Sequence, residues 1–217
     1  MRALDHPNIV KLLDFFEEET NFYVVLEYLP GGELFDRIVK KTFYSEREAR
    51  DTVRLIALAI KYCHDKEILR NEPYGKAVDM WSIGVITYIL LGGYPPFHDD
   101  NQKALFRKIK MGDFEFHEEY WGGVSQEAKD LISSLLNIDP NARLTVDDML
   151  KHPWIHRDGA ELATNDLMDN LAELRKYQAT RKFKAAANAV IAINRMNNMF
   201  GSGAKQDEKQ PPSRSEL

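Results

Sequence analysis

The sequence predicts an α+β fold in which one short β-hairpin near the N-terminus precedes a body made of helices. Branched and aromatic residues cluster between Ile9 and Tyr28 and are interrupted by the polar stretch Glu17–Asn21, which is typical of two strands and a turn. After Pro30-Gly31-Gly32 the hydrophobic residues follow helical periodicity. The 217 residues are 44% hydrophobic and 29% charged, as in ordinary globular chains.

Helix start and stop signals divide the remainder of the chain. A capping box, Ser45-Glu46-Arg47-Glu48, opens the first long helix, because these side chains satisfy free N–H groups at a helix start. Proline and glycine turns separate the later helices. The predicted helices are 33–40, 45–64, 78–91, 101–111, 125–136, 145–150 and 162–175. The residues expected in the core are Trp81, Ile83, Val85, Ile86, Leu131, Leu135 and Trp154.

Charge is distributed unevenly along the chain. The net charge is -5, yet Arg175 to Lys205 contains seven basic residues and no acidic one, which leaves -12 for the remainder. This segment is therefore a basic element attached to an acidic body, which as a whole excludes general affinity for nucleic acid or anionic membranes. Residues 201–217 are rich in Gly, Ser, Lys, Gln and Pro, a composition that predicts a disordered tail.

The cysteine content and the hydrophobic segments indicate a compartment. Cys63 is the single cysteine, which excludes a disulfide framework and a cysteine-based zinc site. The longest apolar stretch, Met80–Leu91, is too short to span a bilayer. The six histidines show no metal-ligand spacing. We expect a cytoplasmic or nuclear protein without a metal, membrane or nucleic-acid site.

Six motifs stand in a fixed order along the chain. They are His6-Pro7-Asn8-Ile9-Val10, Val25-Leu26-Glu27-Tyr28-Leu29 with the following Gly-Gly-Glu-Leu-Phe-Asp, Asp79-Met80-Trp81-Ser82-Ile83-Gly84-Val85, Gly93-Tyr94-Pro95-Pro96-Phe97, Asp139-Pro140 with Arg143-Leu144-Thr145, and His152-Pro153-Trp154-Ile155. In this order they resemble eukaryotic protein kinases. The particular residues of these motifs, together with the basic C-terminal segment, resemble the calcium/calmodulin-dependent kinases, most of all type I. The resemblance extends from about Leu4 to Met199. The resemblance implies a protein kinase-like fold, mostly the helical C-terminal lobe, with the hairpin as a remnant of the N-terminal lobe.

The resemblance also implies an activity, transfer of the ATP γ-phosphoryl group to serine or threonine hydroxyls of protein substrates. Kinases use a glycine-rich loop, a lysine with its helix glutamate, a catalytic-loop Asp and a DFG Asp that binds Mg²⁺. Met1 corresponds to the end of the glutamate helix, so the glycine-rich loop, the lysine and its glutamate are expected upstream. Tyr62–Ile68 normally leads into the catalytic loop, yet Leu69–Gly75, which follows here, normally comes after the activation loop.

The resemblance therefore predicts an internal deletion with its junction near 68–69, no catalytic residue in this chain, and weak binding of ATP and Mg²⁺. The triplet His64-Asp65-Lys66 could be mistaken for a catalytic loop with Asp65 as the base. The required Asn does not follow it and no Asp-Phe-Gly occurs in the sequence. We interpret the triplet as the polar end of a helix.

Several residues correspond to nucleotide and structural positions of the family. Leu26 corresponds to the gatekeeper, Glu27 and Leu29 to the hinge whose main chain pairs with adenine, and Glu33 to the residue near the ribose. Three further positions are expected to be structural: Asp79, Trp81 and Arg143. In the family, Asp79 would accept catalytic-loop N–H groups and Arg143 would pair with the glutamate of an APE motif. With both partners deleted, two uncompensated charges would weaken the fold.

The basic segment resembles the calmodulin-binding helix of the type I kinases. Arg181, Lys182 and Lys184 surround Phe183, and Met196 lies thirteen residues after Phe183 with Val190 between them. We expect calcium-loaded calmodulin as the partner. The alternative is a helix that packs on its own kinase lobe.

The predicted organisation has four parts: 1–29, the N-lobe and hinge remnant; 30–155, the C-lobe without its catalytic and activation loops; 156–200, the autoregulatory and calmodulin-binding segment; and 201–217, the tail. Three functional hypotheses remain open from the sequence. The chain is an active kinase, a non-enzymatic calmodulin-binding fragment, or an incomplete gene product. The absent catalytic and metal-binding Asp residues favour an inactive chain.

Overall fold

The computed structural model describes residues 4–66 and 75–201, and in this part of the chain two strands precede ten helices. The strands are β1 (Leu12–Glu17) and β2 (Phe22–Leu26). The helices are α1 (Leu34–Ile38), α2 (Glu46–Asp65), α3 (Lys76–Gly92), α4 (Gln102–Met111), α5 (Glu118–Trp121), α6 (Gln126–Leu135), α7 (Val146–Lys151), α8 (Pro153–His156), α9 (Gly159–Thr164) and α10 (Met168–Gly201). The predicted α+β class is confirmed. The predicted junction near 68–69 and the predicted tail from 202 onward lie outside the described residues.

The hairpin forms where the sequence predicts it, and most of its side chains are exposed. The two strands pair antiparallel, with Phe15 opposite Val24 and a bulge between Leu12 and Asp14. Phe15 is 43% exposed and Phe22 is 68% exposed, although their rings stack with centroids 5.9 Å apart. Two strands without a covering layer bury little apolar surface, so the hairpin contributes little to the core.

Helix α2 organises the helical body. Its capping box forms as predicted, and the Ser45 N–H donates to the Glu48 carboxylate at 3.3 Å. Its apolar positions Ala49, Val53 and Ala57 lie one helical turn apart and are fully buried. Helix α2 packs against α3, α7, α8 and α9, so it connects the middle of the chain with the helices near its C-terminal end.

The core lies around α3, which packs against both α2 and α6. A Cβ on Gly84 would lie 2.9 Å from the Leu135 Cβ, so glycine allows α3 and α6 to approach closely. Four of the predicted core residues are buried: Ile83, Leu131, Leu135 and Trp154. The other three are only partly buried and pack against the edge of the core: Trp81, Val85 and Ile86.

A buried carboxylate connects four parts of the helical body. Glu46, in the first turn of α2, is fully buried. It accepts the Trp154 indole N–H at 2.7 Å, the Asn165 amide at 2.7 Å, the Ser125 backbone N–H at 3.1 Å and the Ser125 hydroxyl. These donors replace the water that a buried carboxylate loses, which makes the burial of Glu46 tolerable.

The C-terminal third differs from the sequence prediction. The predicted helix 162–175 is wrong at its start, because α9 ends at Thr164 and α10 begins at Met168. The intervening residues pair with the segment before α2: the Glu46 N–H donates to the Asn165 carbonyl at 3.1 Å and the Leu167 N–H to the Tyr44 carbonyl at 3.0 Å. Helix α10 then continues to Gly201, through the segment in which the calmodulin-binding helix was expected.

The chain divides into two compact units, one ending at Tyr177 and one beginning at Gln178. The predicted boundary between the C-lobe and the regulatory segment, after Ile155, therefore differs from this division by about two helices. Leu162, Leu171 and Leu174 are almost fully buried, which explains why residues 156–177 belong to the first unit. In the part of the chain that the structure describes, no helix is both long and apolar enough to cross a membrane.

Candidate functional site

The predicted nucleotide hinge follows the hairpin and is largely exposed. Leu26 ends β2 and is 42% exposed, and Leu29 is 61% exposed. Glu27 is tied twice to the neighbouring strand: its N–H donates to the Lys11 carbonyl at 3.0 Å, and its carboxylate accepts the Lys11 N–H at 3.0 Å. Glu33 is the N-cap residue of α1, but its side chain makes no cap bond. The structure thus spreads the four hinge residues along an exposed segment.

The two helices that flank residues 67–74 are joined by a buried histidine. His64, in the last turn of α2, is 4% exposed, and its Nε2 lies 2.8 Å from Oδ2 of Asp79 in the first turn of α3. The sequence expectation that Asp79 is left without a partner is wrong, because His64 takes that place. This pair joins the end of α2 to the start of α3.

Arg143 also has partners that the sequence did not predict. Its Nε donates to the Asn137 carbonyl at 2.9 Å, and its terminal nitrogens donate to the carbonyls of Ile138 and Ala77. The guanidinium lies 4.9 Å from the Trp81 ring centroid, a favourable cation–π distance. Burial lowers the pKa of Arg143, and Asp139 acts in the opposite direction. Backbone carbonyls and an aromatic ring therefore take the place of the expected glutamate.

The triplet His64-Asp65-Lys66 is the polar end of a helix. Asp65 is the last residue of α2, and its carboxylate forms a surface ion pair with Lys61 at 3.1 Å. His64 is bonded to Asp79, so it is oriented towards the helical body. Asp65 and His64 thus both have structural partners within the described residues.

A second triplet, His156-Arg157-Asp158, matches the His-Arg-Asp sequence of a kinase catalytic loop. Asp158 is the N-cap of α9, and its carboxylate accepts the Ala160 N–H at 2.9 Å. The catalytic loop needs an Asn five residues after its Asp, but Ala163 stands there. The triplet is therefore a helix start.

The predicted calmodulin-binding residues lie on α10. Arg181, Lys182 and Phe183 are exposed, and Phe183 is 76% exposed. The side chains of Lys184, Val190 and Met196 lie outside the described residues, although their backbone is helical. The positions of all six residues are therefore on one continuous helix. At about 100° per residue, Met196 lies roughly 220° around the axis from Phe183.

The first turns of α10 carry structural residues that the sequence analysis missed. The Asn170 amide donates to the carbonyls of Leu91 and Tyr120, each at 2.6 Å. The Arg175 guanidinium donates to the carbonyls of Val39 at 2.9 Å and Lys41 at 2.7 Å. Both side chains bind carbonyls at or just beyond helix ends, which carry no intrahelical partner. An Asn and an Arg within a helix give no sequence signal for such distant contacts.

Comparison with known proteins identifies the protein family to which this fold and these motifs belong. The family model of the protein kinase domain matches residues 1–69 and 65–155. The calcium/calmodulin-dependent protein kinase type 1 of Caenorhabditis elegans is 36% identical over 273 residues, covering 98% of this chain and 78% of the relative. The type IV kinase of Mus musculus is 36% identical over 263 residues, covering 97% of this chain and 56% of the relative. The chain belongs to the calcium/calmodulin-dependent protein kinase family.

The match to the kinase family is interrupted within this chain. Residues 65–69 fall in both matched segments, so the family model is broken at this point. The alignment with the C. elegans kinase runs over 273 positions, whereas 98% of 217 residues is about 213. About 60 aligned positions therefore have no residue in this chain.

Protein kinases use ATP with Mg²⁺. Within residues 4–66 and 75–201, no group of three or more His, Cys, Asp or Glu side chains is arranged to hold a metal ion.

Proposed function

We propose that this chain is a non-catalytic member of its family that binds calcium-loaded calmodulin through α10. The observation that supports the loss of catalysis is the interruption of the kinase match at residues 65–69. In the family this is the position of the catalytic loop, the DFG motif and the activation loop. A shortfall of about 60 aligned positions is large enough to contain all three.

The proposed inactivity follows from electrostatics. In phosphoryl transfer the protein mainly positions the reactants and stabilises charge through metal ions and cationic side chains. No Asp-Phe-Gly occurs among the 217 residues, and neither Asp65 nor Asp158 is placed as a base. ATP that reached the hinge residues Leu26, Glu27, Leu29 and Glu33 would have little to hold its phosphates. We therefore propose weak binding of ATP and Mg²⁺.

Calmodulin as the partner is supported by the relatives and by the chemistry of α10. Both relatives are named for their dependence on calmodulin. The exposed Phe183 stands between basic residues, which suits an acidic partner with hydrophobic pockets. Phe183 and Met196 face different sides of the helix, so a flat surface cannot cover both, whereas two lobes that close around the helix can.

The proposed organisation keeps the four predicted parts but gives the first residues of the third part, 156–177, a different role. Residues 156–177 lie within the first compact unit, so we assign them a structural role in the helical body. The part proposed to engage calmodulin begins at Gln178. Asn170 and Arg175 remain bonded to the body in this proposal and attach the helix to it.

Isothermal titration calorimetry of the full chain with calmodulin tests the proposal. We expect binding with calcium and none in a calcium chelator. The double variant Phe183→Ala, Met196→Ala should bind at least about tenfold more weakly, because each buried anchor contributes about 1.5–3 kcal/mol. Phe106→Ala is the matched control, since Phe106 is 55% exposed on α4. Binding without calcium dependence, or equal losses in the control and the double variant, would refute this assignment.

A further inference from the structure

Thr42 lies in the short connection between α1 and α2, and its side chain is exposed. Its hydroxyl makes no hydrogen bond with the described residues. Other exposed hydroxyls in this part of the chain are bonded: those of Ser82, Ser133 and Thr164 donate to a backbone carbonyl three or four residues earlier. Thr180 is also exposed and without such a bond, but it lies within helix α10. Thr42 thus combines an unbonded hydroxyl with non-helical backbone.

The residues around Thr42 carry positive charge. Lys40 and Lys41 directly precede it, and Arg37 lies in the last turn of α1. Phe43, which follows it, is 51% exposed. A protein kinase with an acidic substrate cleft selects such a segment, because complementary charges steer and orient the substrate. This local sequence therefore suits a kinase that prefers basic residues before the acceptor hydroxyl.

A guanidinium without a carboxylate partner lies next to Thr42. Arg175 donates from Nε to the Val39 carbonyl at 2.9 Å and from a terminal nitrogen to the Lys41 carbonyl at 2.7 Å. It forms no ion pair with a carboxylate of the described residues. The two bonds use two of its five N–H donors, so three donors remain. Since the Lys41 carbonyl carbon is bonded to the Thr42 nitrogen, the guanidinium is held beside Thr42.

We propose that Thr42 is a phosphorylation site, modified by a separate protein kinase that selects basic residues, and that Arg175 holds the phosphate. In this reaction the Thr42 oxygen attacks the γ-phosphorus of ATP and the bond from this phosphorus to the ADP oxygen breaks. The hydroxyl proton passes to the base of the modifying kinase. The phosphate adds about two negative charges at pH 7 and three acceptor oxygens. A guanidinium matches these oxygens because its planar N–H donors bind phosphate in pairs.

The phosphate strengthens the attachment of the first turns of α10 to the helical body. Arg175 keeps its two carbonyl bonds, since the phosphate uses the donors that remain. The carboxylate of Glu48 is paired with Lys41 at 2.5 Å, which reduces its repulsion of the phosphate. A charge-assisted bond from Arg175 to the phosphate then joins α10 to the connection between α1 and α2.

Phosphorylation of the folded full chain by protein kinase C, which selects basic residues near its acceptor, tests the site. Mass spectrometry should locate phosphate on Thr42, and Thr42→Val should lose the label from the fragment that contains this position. Thr20→Val is the matched control, because Thr20 is exposed in the acidic turn between β1 and β2. This control should keep the label on Thr42. A wild-type chain without phosphate on Thr42, or a label that persists in this fragment of Thr42→Val, would overturn the proposal.

Phosphorus-31 NMR of the phosphorylated chain tests the role of Arg175. A neighbouring guanidinium favours the doubly charged phosphate, so the phosphate should titrate at least about 0.5 pH unit lower in the wild type than in Arg175→Gln. Arg175→Lys keeps the charge and should titrate between the two. Arg107→Gln, on the exposed side of α4, is the control and should titrate like the wild type. Equal titration in the wild type and Arg175→Gln, with both folded by circular dichroism, would refute the role of Arg175.

Discussion

His64 and Asp79 form a 2.8 Å hydrogen bond between the last turn of α2 and the first turn of α3. His64 is almost fully buried, while the side chain of Asp79 remains about one third exposed. The bond joins the chain on both sides of residues 67–74. It gives the helical body a direct connection at the point where the kinase match is interrupted.

Replacing His64 tests this connection. His64→Ala should lower the free energy of unfolding by about 1–3 kcal/mol, because it removes a hydrogen bond to a carboxylate and leaves a cavity. Urea denaturation of the full chain measures the loss. His98→Ala, on an exposed residue, is the control and should change stability by less than about 0.5 kcal/mol. Equal effects of the two variants would mean that the bond contributes nothing.

Gly93 tests how closely α10 approaches the end of α3. It has a φ of 82°, and a Cβ there would lie 2.2 Å from the Asn170 carbonyl oxygen. Gly93→Ala should therefore cost at least about 2 kcal/mol from backbone strain and steric overlap. Gly123→Ala is the matched control, because a Cβ there would meet nothing within 4 Å. Thermal unfolding of both variants measures the difference; a Gly93→Ala protein as stable as the control would show that α10 can move away without cost.

His152 should make stability depend on pH. Burial lowers the pKa of His152 below its usual value of 6.5, while Asp130 and Glu127 act in the opposite direction. The unfolded chain therefore takes up a proton at higher pH than the folded chain, and stability is lost as the pH falls through 6.5 towards the lower folded value. The neutral ring also accepts a hydrogen bond from the backbone N–H of Trp154 at the start of α8.

His152→Asn separates this effect from other titrations, since asparagine is a good N-cap that does not titrate. The stability of the wild type relative to His152→Asn should decrease as the pH falls below 6.5. Urea unfolding at several pH values gives this difference. A difference that stays constant with pH contradicts the expected contribution of His152.

Local signals in the sequence were sufficient to predict the main elements. The capping box at Ser45 predicts the start of α2 because its donors and acceptors lie within four residues. Short helices such as α5 and α8 have only four residues each, too few to show a helical period. Trp121 is fully buried, yet its sequence neighbourhood of glycines and glutamates resembles a surface turn.

The partners of the site residues could not be predicted because they are distant in sequence. The family resemblance indicated a catalytic loop as the partner of Asp79 and a glutamate as the partner of Arg143, whereas in the described residues His64 and backbone carbonyls take these places. His64 lies fifteen residues from Asp79, and the Ala77 carbonyl lies sixty-six residues from Arg143. Hydrophobic period and capping rules carry no information on such contacts. The calmodulin-binding role of α10 stays a prediction.

A phosphotransfer assay tests the central claim most directly. The purified chain is incubated with calcium-loaded calmodulin, ATP, Mg²⁺ and a peptide substrate, beside a full-length type 1 calmodulin-dependent kinase as the positive control. Since the kinase match is interrupted at residues 65–69, where the family has its catalytic loop and DFG motif, we expect no transfer above a protein-free control. Phosphate transfer that increases with the concentration of this chain and copurifies with it would contradict the account.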